Sequence, residues 1–181
     1  MRVIVIGLGV QGKKRAKFAK TDLIATIDPL NPRANFKDIS QINLSTFDAA
    51  IVCTPESYKV SILSYLLENK KHVLVEKPLL PSSDDTLLQL QKIAFENKVI
   101  CYTAYNHRFE PHFVRMRNLI DSGVLGKIYS CRMFYGNGTA KLVRDSIWRD
   151  QGSGVFLDLG SHLIDTVEMW FGKQAYDFKI I

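Results

Sequence analysis

Short, nearly continuous apolar runs punctuate the first hundred residues, and between them apolar residues return every three or four positions. The runs are "RVIVIG" (residues 2–7), "LIATID" (23–28), "DAAIVCTP" (48–55), "HVLVE" (72–76) and "VICYTAY" (99–105). Their Val, Ile, Leu and Ala content on consecutive positions predicts strands buried on both faces. The intervening "VQGKKRAKFAK", "YKVSILSYLLENK" and "TLLQLQKIAFENK" read as helices, with Val60, Leu63 and Leu67 at helical spacing. Ser82 to Asp85 supply side-chain oxygens that can cap the third helix. Only the link between the second and third strands lacks a helical pattern. Alternating strands and helices predict a doubly wound α/β fold on a parallel sheet.

From about residue 123 the pattern changes. "SGVLGK" is a glycine-punctuated turn and "KIYSCRMFYG" reads as a longer strand of mixed polarity. A polar loop through Trp148 and Arg149 precedes a helix from about Val155 to Trp170, and "AYDFKII" resembles the opening of another strand. Residues 1–122 are therefore expected to form one domain. Residues 123–181 are expected to be the incomplete start of an α+β domain, because these pieces cannot close a core by themselves.

Composition narrows the function classes. No apolar stretch approaches the roughly 20 residues of a membrane span, and "MRVIVIG" is too short for a signal-peptide core. The expected address is the cytoplasm. Cys53, Cys101 and Cys131 form no CxxC pair and lie in apolar runs, so reduced core thiols are expected rather than a disulfide framework or structural zinc. The net charge of +6 suits a phosphate-bearing cofactor or substrate. Apart from "KKRAK" the charges are dispersed, which argues against a nucleic-acid surface.

Three clusters carry candidate chemistry. "GLGVQG" places Gly7, Gly9 and Gly12 in G-x-G-x-x-G order between a strand and a helix, the arrangement that lets a pyrophosphate meet a helix N-terminus. Asp28, ending the second strand, can accept hydrogen bonds from ribose hydroxyls and favours NAD, although Arg33 could reach the 2′-phosphate of NADP. "DLGSHLID" sets Asp158, His162 and Asp165 on one stripe of a helix, with Phe156, Leu159, Leu163 and Trp170 opposite and expected to face the core. That stripe suits a histidine acid/base beside a carboxylate. It equally suits a surface ion pair, while a zinc or manganese site would require a further His or Cys cluster that the sequence does not supply. "AYNHRFEP" follows the fifth strand, at the sheet edge where ligands bind in such folds, and Pro111 suits a first helical turn. His107 reads there as part of a polar loop, and His72 and His112 as surface or packing residues.

In order along the chain, GLGVQG, CTPES, NKKHVLVEKPL, YNHRFEP, GVLGKIYS and WRDQGSGVFLDLGSHLIDTVEMWFG resemble the Gfo/Idh/MocA oxidoreductases. EKP together with D-x-G-x-H at this separation is the most specific part. The resemblance implies a dehydrogenase using NAD, or NADP, on a hydroxyl of a sugar, cyclitol or nucleotide-sugar. It places Val10, Gln11, Thr54, Pro55, Glu76, Lys77 and Asn106 with the cofactor. It places Arg108, Trp148, Arg149, Asp158 and His162 with the substrate. Lys77 would meet the hydroxyl being oxidised, His162 would accept its proton, and the Lys77–Pro78 bond would be cis. Lys59 and Glu56 depart from the His and Asn common in relatives. A full-length relative would be a homo-oligomer, with no membrane or nucleic-acid partner. The alternative is a dinucleotide-binding module without turnover.

Overall fold

The computed structural model describes residues 1–81, 83–136 and 156–172. The chain folds as two compact units, Met1–Ala104 and Tyr105–Ile181, so the change of sequence character near residue 123 falls inside the second.

The first unit contains five strands: β1 (Val3–Ile6), β2 (Leu23–Ile27), β3 (Ala49–Val52), β4 (His72–Val75) and β5 (Cys101–Thr103). They form one sheet in the order β2-β1-β3-β4-β5, every neighbouring pair parallel. Three helices connect them: α1 (Val10–Ala19), α2 (Glu56–Glu68) and α3 (Asp84–Glu96). The link between β2 and β3 contains only two 3-10 turns, Ile39–Gln41 and Leu44–Thr46, in keeping with its lack of helical periodicity.

Ile4, Val5, Val52 and Val75 are shut away from solvent, as are Phe47 and α2 residues Leu63, Leu66 and Leu67. Each such side chain contributes about 1.5–3 kcal/mol relative to an exposed one. The expected strand and helix positions are thus met. Ser83 occupies the N-cap of α3 but makes no side-chain hydrogen bond to its backbone. Asp84 and Asp85 in the first turn instead favour the helix through its dipole.

Register positions the functional edge. Ile6 pairs with Ile27 and Val52, Val52 with Val75, and Val75 with Thr103. The residues that follow these pairs, Gly7, Asp28, Cys53 and Glu76, therefore emerge in one row at the carboxyl ends of the strands, where such sheets bind ligands.

The second unit begins with a 3-10 turn, Asn106–Phe109, and α4 (Pro111–Asp121), in which Pro111 occupies the first turn as expected. Residues 127–136 are not the predicted strand: a strand requires a ladder partner, and no neighbouring strand pairs with them among the described residues. A π-helical stretch, Phe156–Gly160, leads into α5 (Ser161–Phe171). Here the buried face differs in part from the expected one. His162, Asp165 and Thr166 are buried together with Met169, because Arg108 and aromatic rings of this unit meet the polar residues. Phe156 is exposed, and Asp158, Leu159, Leu163 and Trp170 are half-buried. Trp148 and Arg149 lie outside the described residues.

The thiols also divide differently from expectation. Cys131 is exposed, whereas Cys53 and Cys101 are half-buried in the first unit. Burial pushes the Cys53 thiol up to about 12; the Glu76 charge adds to this, and Arg15 and Lys59 oppose it. Burial also raises Cys101. A thiolate-specific reagent is expected to modify Cys131 first in the folded protein, and Cys53 and Cys101 only on denaturation. Peptide mass mapping after timed labelling distinguishes the three; early modification of Cys53 would contradict the assignment.

Candidate functional site

The turn between β1 and α1 is built by close backbone approach. Gly7 has φ of +89°, and its N–H donates to the Ile27 carbonyl at 2.8 Å. A Cβ on Gly12 would lie 1.7 Å from the Gly7 carbonyl oxygen, so only glycine lets α1 start this near the strand. Gly9 differs: a Cβ there would meet nothing within 4 Å. Gly9, Val10 and Gln11 are exposed at the helix start, and the first turn contains no acidic residue. Backbone N–H groups of a first helical turn lack helical acceptors, so this end of α1 fits an anion such as a pyrophosphate.

Asp28 joins the glycine turn to the end of β2. Its Oδ2 accepts from Leu8 N–H at 2.7 Å, and its Oδ1 from Leu30 and Asn31 N–H at 2.9 and 2.8 Å. Partial burial raises its carboxyl, but the three N–H donors and the Lys37 charge outweigh this and hold it below the usual range. Oδ1 already accepts two bonds and Oδ2 one, leaving Oδ2 room for a ribose hydroxyl. The Thr54 hydroxyl oxygen, beyond β3, is buried and has no hydrogen-bond partner among the described residues, as a group that receives a ligand would. Together these features fit a dinucleotide.

The Glu76-Lys77-Pro78 segment leaves β4 in the same row, and its Lys77–Pro78 peptide is cis. Glu76 is buried, and its Oε1 accepts from Arg15 Nε of α1 at 2.6 Å. Lys59 of α2 is 3% exposed and donates to Glu56 Oε2 and to the Glu76 carbonyl, each at 2.7 Å, and to the Pro78 carbonyl. Arg15 carries no signal in the sequence, and Lys59 is marked there only as a departure from the histidine common in relatives, with no role attached. The signal for its burial is its spacing, four residues before Leu63 on the buried stripe of α2.

In the second unit His162 sits among aromatic rings. The His107 ring lies 4.5 Å away by centroid, and Tyr105 and Tyr135 meet His162 edge-on at 5.7 and 5.8 Å. His107 also stacks on Phe113 at 4.7 Å, so it is a packed neighbour of His162 rather than part of a polar loop. Asp165, one turn beyond His162, pairs with Arg108: the arginine Nε lies 2.8 and 2.9 Å from the two carboxylate oxygens and a terminal nitrogen 2.7 Å from Oδ1. The buried Asp165 carboxylate is thereby satisfied, and a guanidinium fork is well matched to a carboxylate. Trp170 adds a bond from Nε1 to the Phe113 carbonyl at 3.1 Å. Asn106 is exposed and donates to Glu110 Oε1 at 3.1 Å. Asp158 lies in the π-helical stretch, one turn before His162.

Residues 1–105 match the sequence model described as "Oxidoreductase family, NAD-binding Rossmann fold", and residues 113–176 match the Gfo/Idh/MocA C-terminal domain. The chain belongs to the Gfo/Idh/MocA oxidoreductase family. Among curated members, it is 27% identical to scyllo-inositol 2-dehydrogenase (NAD(+)) of Bacillus subtilis, over 96% of this chain and 55% of that protein. It is 30% identical to myo-inositol 2-dehydrogenase of Thermotoga maritima, over 97% of this chain and 56% of that protein. The chain thus spans about half the length of these family members. The fold is shared with the scyllo-inositol dehydrogenase of Lactobacillus casei solved with NAD(H) and scyllo-inositol bound, with a TM-score of 0.77 at 22% identity, covering 96% of this chain and 57% of that one. The first unit is the family's NAD-binding Rossmann domain, in agreement with the fold class read from the strand and helix pattern. Among the described residues no helix is long and apolar enough to cross a membrane.

Proposed function

We propose that the protein binds NAD through its first unit and contributes to dehydrogenation of a secondary hydroxyl on a cyclitol or sugar. The observation that carries this reading is the row at the carboxyl edge of the sheet. A glycine turn open to an anion, an ionised Asp28 with a free acceptor site and the Glu76–Lys77 segment share one register. The Asp28 carboxylate supports NAD over NADP, because a 2′-phosphate would bring like charge against it.

When bound, nicotinamide supplies the acceptor for the hydride. Lys77 stabilises negative charge as it develops on the substrate oxygen. His162 accepts the hydroxyl proton, and Asp158 holds the substrate. By the family resemblance Asn106 belongs with the cofactor, and Arg108, Trp148 and Arg149 are assigned to the substrate; Arg108 also anchors α5 through Asp165. Inositol dehydrogenases among the relatives favour a cyclitol, with a nucleotide-sugar the less supported substrate.

The test is the initial rate of NAD⁺ reduction with a panel of inositols, hexoses and nucleotide-sugars. Turnover of a cyclitol or sugar is expected. A protein that binds NADH but turns over none of them would be a binding module instead. Gly9→Val is expected to leave the thermal midpoint unchanged, since space surrounds that position, yet to remove NADH binding by obstructing the pyrophosphate. Retained NADH affinity would refute the cradle.

A further inference from the structure

The three ammonium hydrogens of Lys59 are matched by three acceptors, the Glu56 carboxylate, the Glu76 carbonyl and the Pro78 carbonyl. The two carbonyls flank Lys77 in sequence. The counter-ion extends the grip: Glu56 Oε1 accepts the Leu80 N–H at 2.5 Å. Thus one i, i+3 pair on α2 holds the backbone at residues 76, 78 and 80, while Arg15 holds the Glu76 side chain at 2.6 Å. An apolar residue at position 59 would suit the buried stripe that contains Leu63 and Leu66, so packing does not call for a cation there. The acceptors do.

We propose that Lys59, with Glu56, is a positioning residue for Lys77, pinning the backbone on both sides so that the Lys77 ammonium is presented in a fixed place. This rests on the reading that Lys77 stands at the nicotinamide end of bound NAD. Charge-assisted hydrogen bonds to carbonyls in a buried setting are strong and directional, and small displacements of a reacting group are costly to catalysis.

Competitive acetylation of amines, read at Lys77 by mass spectrometry with and without saturating NADH, tests the assignment in the 181-residue chain. NADH is expected to slow Lys77 acetylation in the unsubstituted protein. In Lys59→Met that protection is expected to fall roughly tenfold, the scale of one lost charge-assisted hydrogen bond, while NADH still binds through the glycine turn. Lys59→Arg, which keeps the cation and its donors, is expected to restore most of it, which a purely packing role would not require. Glu56→Gln, which retains size, provides the same readout should Lys59→Met fail to fold. Full protection in a folded Lys59→Met or Glu56→Gln protein would overturn the inference and leave the functional reading intact. Absence of protection in the unsubstituted protein despite NADH binding would overturn the placement of Lys77, and the inference with it.

Discussion

Gly12→Ala is expected to destabilise the first unit by about 3 kcal/mol or more, the upper range for forced overpacking. The added carbon would lie 1.7 Å from the Gly7 oxygen and 2.8 Å from its carbonyl carbon. Both are backbone atoms, so no side chain can rotate away. Gly7 cannot retreat either: it already has φ of +89°, and its own Cβ direction is 2.7 Å from the Cys53 carbonyl oxygen. The substitution must push α1 off the sheet, which also moves Arg15 away from Glu76. A loss of this size is a large part of the roughly 5–15 kcal/mol that stabilises a typical domain. Urea denaturation followed by circular dichroism measures it, and a midpoint equal to that of the unsubstituted protein would refute the close approach.

Lys77→Ala and His162→Gln are each expected to lower kcat by about 10²–10⁴-fold on the cyclitol or sugar that proves to be the substrate. NADH affinity is expected to survive both, because the glycine turn and Asp28 are the proposed holders of the pyrophosphate and the adenosine ribose. His162→Gln keeps a polar side chain of similar reach but cannot accept the proton, so its loss is expected chiefly in kcat. His162 is also buried against Tyr105, His107 and Tyr135. A thermal melt must therefore accompany the kinetics, to separate loss of the base from loss of packing. Unchanged turnover in a folded variant would remove that residue from its proposed role.

The first unit was legible because parallel strands buried on both faces leave an unmistakable apolar signature, and all five fall within the expected runs. The glycine turn was equally legible, since spacing and context reflect one steric demand. Polar burial was not. Lys59 lies on the apolar stripe of α2, but spacing cannot reveal that the carbonyls of residues 76 and 78, far along the chain, would receive it. The stripe of Asp158, His162 and Asp165 is legible from spacing, but the burial of His162 and Asp165 is not. Helical periodicity separates polar from apolar sides without saying which is covered, and the Arg108–Asp165 pair that makes burial tolerable is 57 residues apart in sequence. The failure of 127–136 to form a strand has the same origin, because strand character in a sequence says nothing of whether a ladder partner stands beside it.

The central claim is that the row of Gly7, Gly9, Asp28 and Thr54 receives NAD. Fluorescence titration of the folded 181-residue chain with NADH, and in parallel with NADPH, measures this most directly. Saturable binding is expected, tighter for NADH, with the preference lost in Asp28→Ser. Absence of NADH binding by a folded sample would contradict the claim, and tighter binding of NADPH would contradict the role given to Asp28.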